Sequence, residues 1–213
     1  MLTAMLDVLA PARCAACGAF AAPLCSICRR ELAASRLLVR HDIAGIDSVV
    51  ALGAFEGALR RAIHALKYAN RLDVADEIAQ ALAGKFCPDE RLLIPVPLHP
   101  GRLRWRGYNQ AEALAGALTR AWKTRGRAPL LVAPAALYRC TATPPQSALR
   151  LAAREENVRG SFAPGSQACI VNGRRVLLVD DVVTSGATIR ACAGVLRTCG
   201  AADIVAICAA TRP

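Results

Sequence analysis

Residues 176–188 read VLLVDDVVTSGAT. Four apolar residues run straight into Asp180 and Asp181, and a hydroxyl-rich turn around Gly186 follows. The run Val176 to Val179 predicts a buried strand, and Thr188 to Cys199 predicts a helix ended by Gly200. Adjacent carboxylates repel each other, so an ordinary surface loop gains little from them. A helix start exposes unpaired amides at the positive end of its dipole. Gly186 lets the backbone approach an anion, and Thr184, Ser185 and Thr188 add hydroxyl donors. Together these groups make a cradle for a monophosphate. The acids would repel phosphate, but they accept hydrogen bonds from hydroxyls well. A sugar phosphate with vicinal hydroxyls satisfies both halves of the loop. A Walker-type nucleotide site also ends a strand in paired acids, but no G-x-x-x-x-G-K-[ST] occurs anywhere in the chain.

Working outward, the same strand-then-helix alternation recurs. Val49 to Phe55 reads as a strand; Leu59, Ile63 and Leu66 follow at helical spacing, and a second helix carries Leu72, Ile78 and Leu82 to Gly84. Leu92 to Val96 reads as a buried strand whose prolines, Pro95 and Pro97, call for an irregular end or an edge. Asn109 and Glu112 resemble a capping box, and Leu114, Leu118 and Trp122 give the helix behind it one apolar stripe. Arg102, Arg104 and Arg106 are expected on a loop between that strand and that helix. Asn172-Gly173 is a hairpin-type turn signal, and Asp203 to Ala209 reads as a last strand. The alternation implies an α/β fold with a parallel twisted sheet flanked by helices. Residues 139–160 are polar, basic and broken by Pro144-Pro145, and a mobile loop leading into a short helix is expected there.

The chain has 213 residues, 54% of them apolar, which is enough for one such domain with a small appendage. Its first residues lack the basic start of a secretory signal, and no run approaches the roughly 18 uncharged apolar residues of a membrane span. A cytoplasmic protein without a membrane span is expected, of undetermined oligomeric state. Cys14, Cys17, Cys25 and Cys28 form a C-x2-C-x7-C-x2-C set, the spacing of a tetrahedral four-thiolate site. Structural Zn²⁺ is the expected occupant, with iron as the chemical rival. The other six cysteines, at 87, 140, 169, 192, 199 and 208, are scattered among apolar residues and read as small core residues.

The net charge of +11 is unevenly spread. Residues 99–160 hold 11 basic and 3 acidic side chains, and nearly all of the basic ones are arginine. The planar guanidinium fork matches phosphate oxygens, so a polyanionic ligand is expected. Trp105 and Tyr108 lie among these arginines; packing of the loop against its own domain is the leading reading of the two rings, and stacking on the bases of single-stranded DNA is the other. His41, His64 and His99 are isolated and are read as noncatalytic.

The 176–188 stretch closely resembles the 5-phosphoribosyl 1-diphosphate (PRPP) motif of type I phosphoribosyltransferases. LKY at 66–68, IPVPLH at 94–99, RGYNQ at 106–110, the set Gln146, Arg154 and Asn157, and the cysteine knuckle narrow the resemblance to the ComF/GntX family of competence and DNA-utilisation proteins. The resemblance implies a zinc-binding module at 1–40 and a phosphoribosyltransferase-like domain of type I fold at 45–213. It implies that Asp180 and Asp181 hold the ribose hydroxyls, with a catalytic role. Thr184, Ser185, Gly186, Ala187 and Thr188 would then hold the 5′-phosphate. Arg102 and Arg106, with Lys67, Gln146 and Arg154, are candidates for the diphosphate. Mg²⁺ would accompany PRPP, and the activity implied is glycosyl transfer from PRPP. A non-catalytic reading, PRPP sensing by a module that holds single-stranded DNA, stands beside it. A helicase of DNA uptake is a further candidate partner, docked on the zinc module.

Overall fold

The computed structural model describes residues 12–89, 92–141 and 160–212. Helix α1 (Ser26–Ala34) leads to an edge strand β1 (Leu38–Arg40) and then β2 (Ser48–Ala54). Helices α2 (Gly57–Tyr68) and α3 (Asp73–Ala83) precede β3 (Leu92–Pro95). Next come α4 (Pro100–Arg106), α5 (Gln110–Lys123), β4 (Leu131–Val132), β5 (Leu137–Arg139) and β6 (Phe162–Pro164). The chain ends with β7 (Arg175–Val183), α6 (Ala187–Thr198) and β8 (Asp203–Thr211).

Six strands form one sheet in the order β1-β2-β8-β7-β3-β4, parallel except for β1. Its central strands are apolar on both faces, as a sheet covered by helices on both sides requires. Leu177 and Val179 face one apolar cluster with α1, α2, α3 and α5. Val176 and Leu178 face another with α6, β5 and β6. The expected stripe on α5 is fully buried, and burial of each such side chain stabilises by about 1.5–3 kcal/mol. Trp122 satisfies its indole N–H on the Phe86 carbonyl at 2.9 Å.

The connections locate the crevice. The chain leaves β3 through α5, on one face, to reach β4. It leaves β7 through α6, on the other face, to reach β8. Neighbouring strands whose connections depart to opposite faces open a gap at their carboxyl ends, where ligands of open α/β sheets bind.

Several local expectations change. Arg102, Arg104 and Arg106 lie on a short helix, α4, not on a loop. Pro100 opens it, His99 Nδ1 accepts the Gly101 amide at 3.1 Å, and left-handed Gly107 closes it. Asn172-Gly173 does not join a hairpin. It follows a single 3₁₀ turn, and the Gly173 amide donates to the Gly200 carbonyl, tying the entry of β7 to the end of α6. Of the scattered cysteines, Cys192 and Cys208 are core residues and Cys199 is half-buried, but Cys87, Cys140 and Cys169 are exposed. Pro95 lies in an interior strand at a place that tolerates it. The Val96 amide points to β7, so the missing Pro95 donor would point toward β4, which pairs only with Leu92 and Leu93. No helix among the described residues is long and apolar enough to cross a membrane.

The cysteine knuckle packs into the same apolar cluster as α2 and α3, through Cys14, Leu24, Cys28 and Leu32. Arginine and glutamate side chains fasten it. Arg71 donates to the Arg13 carbonyl at 2.8 Å and to the Pro23 carbonyl at 3.3 Å while paired with Asp73. Arg29 pairs with Glu77 through two nitrogens. Glu31 accepts the Ala58 amide at 2.6 Å and so satisfies an otherwise open donor at the start of α2.

Candidate functional site

The two acids sit inside the last turn of strand pairing, not beyond it: β7 continues to Val183. Successive residues of a strand point to opposite faces, so the pair straddles the sheet. Asp181 follows Leu177 and Val179 toward α2, where Lys67 Nζ lies 2.9 Å from its Oδ1. Asp180 follows Val176 and Leu178 toward the face of α6, and its charge is felt by buried Cys192 and Arg139. Asp181 is only 4% exposed, and its second oxygen, Oδ2, has no hydrogen-bond partner among the described residues. Asp180 Oδ1 accepts the Asp181 amide at 2.8 Å. Burial first, and the Asp181 charge second, push the Asp180 carboxyl up to about 7, against the pull of Lys67 and Arg139.

A cleft of about 190 Å³ opens over these acids. Lys67 and Tyr68 of α2 line one side, and Val96, Pro97 and Leu98 of the chain after β3 line another. Arg102, Arg106, Gln110, Arg139 and Thr188 complete it. Four of the sequence candidates for anion contact or hydroxyl donation, Lys67, Arg102, Arg106 and Thr188, therefore share one cavity with both acids. Arg106 donates to Gln110 Oε1 at 2.5 Å and lies 5.5 Å from the Tyr68 ring centroid, which aims its guanidinium across the cleft mouth. Gln146 and Arg154, and Asn157 of the same set, lie outside the described residues.

A second, narrower recess adjoins the first through Asp180 and Thr188, which line both. Thr184, Gly186 and Ala187 form its wall. Ser185 lines neither; its hydroxyl lies 3.5 Å from the Ala187 amide. Gly186 has φ +77°, a left-handed conformation that favours glycine, and a Cβ there would have to displace the Ile43 side chain. Among the described residues no backbone carbonyl accepts the amides of Ser185 or Gly186, so the loop presents open donors next to the start of a twelve-residue helix.

Sequence reasoning missed Arg139. Strand β5 places Leu137 and Arg139 inward and Tyr138 outward, and Arg139 is 6% exposed. Its guanidinium sits 5.2 Å from the Phe162 ring centroid. Burial, and then the Arg102 charge, lower its pKa, and Asp180 works in the opposite sense. A three-residue strand offers too few positions for alternation to be read, so the one usable signal was an arginine two places after a buried leucine. Of the two aromatic residues among the arginines, Tyr108 packs against its own domain, half-buried, with its hydroxyl donating to the Leu66 carbonyl, whereas Trp105 is 76% exposed.

The four knuckle sulfurs lie within 4.8 Å of one another. Cys17 Sγ and Cys25 Sγ are 3.6 Å apart, close to the edge of about 3.8 Å expected for a tetrahedron with metal–sulfur bonds near 2.3 Å. The Cys28 amide points at Cys25 Sγ at 3.5 Å, a donor directed at a sulfur of the cluster. The donor set fits a metal ion held by four cysteines.

A mostly parallel sheet with a crevice at the β3/β7 switch point, acids on the strand end and a glycine turn beyond them define a type I phosphoribosyltransferase-like fold. The phosphoribosyl transferase domain family matches residues 133–213, which span β5 to β8. The chain is 30% identical over 170 residues to DNA utilization protein YhgH of Escherichia coli O6:H1, covering 75% of this chain and 70% of that one. It is 30% identical over 166 residues to Competence protein F of Haemophilus influenzae, covering 74% and 70%. A YhgH of Shigella flexneri is 29% identical over 174 residues. The chain belongs to this ComF/YhgH family of competence and DNA-utilisation proteins, with a phosphoribosyltransferase domain and an N-terminal four-cysteine cluster.

Proposed function

We propose that the cleft binds PRPP and that the chain transfers its 5-phosphoribosyl group to a nucleophile. The observation that carries this reading is the buried Asp181 Oδ2, without a partner among the described residues, on the wall of an arginine-lined cavity that adjoins the glycine-turn recess through Asp180 and Thr188. A buried acceptor left unpaired costs about 1–3 kcal/mol. A ribose hydroxyl supplies the missing donor. Asp180 takes the neighbouring hydroxyl, and residues 184–188 take the 5′-phosphate in the adjoining recess. Arg102, Arg106 and Arg139 face the diphosphate. Lys67 holds Asp181 in place and offsets its charge.

In the transfer, the bond from ribose C1 to the diphosphate oxygen breaks and its electron pair leaves with diphosphate. A lone pair of the acceptor forms the new bond at C1. Preorganised guanidinium groups favour the departing charge, and the carboxylates favour positive charge on the sugar. The oxygen donors of Asp180 and Asp181 suit Mg²⁺, which, bound with the diphosphate, would neutralise part of its charge. Cys14, Cys17, Cys25 and Cys28 would hold Zn²⁺ with four thiolates and no open position, so its contribution would be to folding.

Calorimetric titration of PRPP, with and without Mg²⁺, into wild type and Asp181→Ala tests the reading. Binding by wild type and a loss of about a hundredfold or more in the variant are expected. Equal affinities would overturn the assignment. Release of pyrophosphate in the presence of a panel of nucleobases then separates transfer from sensing.

A second reading, single-stranded DNA as partner, draws on the exposed face of α2. The rings of Phe55, His64 and Tyr68 follow one another at 5.8 and 5.6 Å. Arg60 and Arg212 lie over Phe55, and Arg106 lies over Tyr68. Aromatic faces interleaved with arginine suit stacked bases and a phosphate backbone. A mobility-shift titration of a single strand at two salt concentrations, with Tyr68→Ala beside wild type, tests it. No shift at low salt would exclude this reading.

A further inference from the structure

We propose that Arg40 is a positioning residue for the phosphate loop, acting from a strand distant in sequence through the Thr184 carbonyl. The inference rests on the reading of residues 184–188 as the 5′-phosphate cradle. Arg40 ends the antiparallel edge strand β1. Its Nε and Nη2 are held by Asp42 in a bidentate pair at 2.9 and 2.7 Å. The remaining nitrogen, Nη1, lies 2.9 Å from the Thr184 carbonyl oxygen, 3.2 Å from Thr211 Oγ1 and 3.4 Å from the Arg212 carbonyl oxygen. One guanidinium thus joins the edge strand, the loop after β7 and the end of β8.

A trans peptide is planar, so a carbonyl and the amide that follows it point in opposite directions. Anchoring the Thr184 oxygen on Arg40 turns the Ser185 N–H away from Arg40. Three residues after Arg40, Ile43 fills the space where a Gly186 side chain would stand. Residues 40–43 therefore set the loop at two successive peptides. Neither Arg40 nor Ile43 lines the cleft or the recess, so both act through the loop. The carboxylate of Asp42 balances the Arg40 charge, which leaves geometry as its contribution. Lysine cannot replace it fully, because only a planar fork holds Asp42 on one edge while a third nitrogen reaches the loop.

The test uses two ligands that report on different halves of the site. Ribose 5-phosphate reports on the loop, and inorganic pyrophosphate reports on the arginines. Each is titrated calorimetrically into the full chain as wild type, Arg40→Ala and Arg40→Lys. Arg40→Ala should weaken ribose 5-phosphate by about tenfold or more and change pyrophosphate by less than about twofold. Arg40→Lys should fall between wild type and alanine for ribose 5-phosphate. Equal weakening of both ligands would make Arg40 a general structural residue and overturn the inference; so would unchanged affinity for ribose 5-phosphate. If Arg40→Ala does not fold, Arg40→Lys and Thr211→Val carry the same two-ligand comparison. A wild type that does not bind ribose 5-phosphate would remove the cradle reading itself, and this inference with it.

Discussion

The knuckle and the cleft meet their electrostatic demands in opposite ways. The knuckle draws four sulfurs from fifteen consecutive residues and turns backbone amides toward them. Its carbon atoms then join the core shared with α2 and α3. The cleft draws its polar groups from α2, α4, α5, β5, β7 and α6, and among the described residues it leaves an acid oxygen without a hydrogen-bond partner and two loop amides without a carbonyl acceptor. A closed site serves folding. An open one keeps its unmet hydrogen bonds for a ligand. Substitutions in the two regions should therefore fail differently, one in stability and the other in binding.

The largest effect should come from Cys28→Ala, which removes a thiolate and hollows the core beneath α1. A loss of several kcal/mol is expected, on the order of a structural metal's contribution. Thermal unfolding with and without a chelator, beside a measurement of bound zinc, checks it. An unchanged midpoint after chelation would mean that the knuckle holds no structural metal. Gly186→Ala should come next. Left-handed strain and contact with Ile43 should cost about 1–3 kcal/mol, with ribose 5-phosphate binding lost and metal content intact. Adding Ile43→Ala should restore only the part due to contact, since the strain remains.

Arg71→Met cuts the tie between the knuckle and α3 and should cost about 1–2 kcal/mol, measured by denaturant unfolding. PRPP affinity should stay within about twofold, because Arg71 lies outside the cleft. The last comparison concerns pH. The native Asp180 carboxyl is raised to about 7, so the native state holds a proton that the unfolded chain has already released. Its contribution to stability therefore falls as pH rises from the ordinary carboxylate range through about 7. Asp180→Asn should remove that slope, so the variant gains stability relative to wild type as pH rises from 5 to 8. Denaturant midpoints of both proteins at the two pH values check the sign.

Much of the architecture was legible because parallel strands buried on both faces leave continuous apolar runs, and because caps and glycines mark helix ends. VLLV before the acids and the stripe Leu114, Leu118 and Trp122 were of this kind. Short elements were not legible. The helix carrying Arg102 to Arg106 is seven residues long, and its decisive signals, Pro100 and His99, also suit a loop. Edge strand β1 and strand β5 have three residues each, too few for a period to emerge.

The sequence by itself determined the four-thiolate knuckle and the order of acid pair, glycine turn and helix start. In both, the chemistry needs residues that are neighbours along the chain, so spacing is geometry. Tertiary structure alone decided that Lys67 meets Asp181 and that buried Arg139 joins Arg102 and Arg106. It also brought Arg40 to the Thr184 carbonyl across 144 residues. These pairings arise from strand order and from the faces to which connecting helices depart. Both are settled by packing of the whole sheet, and no local run of residues records them.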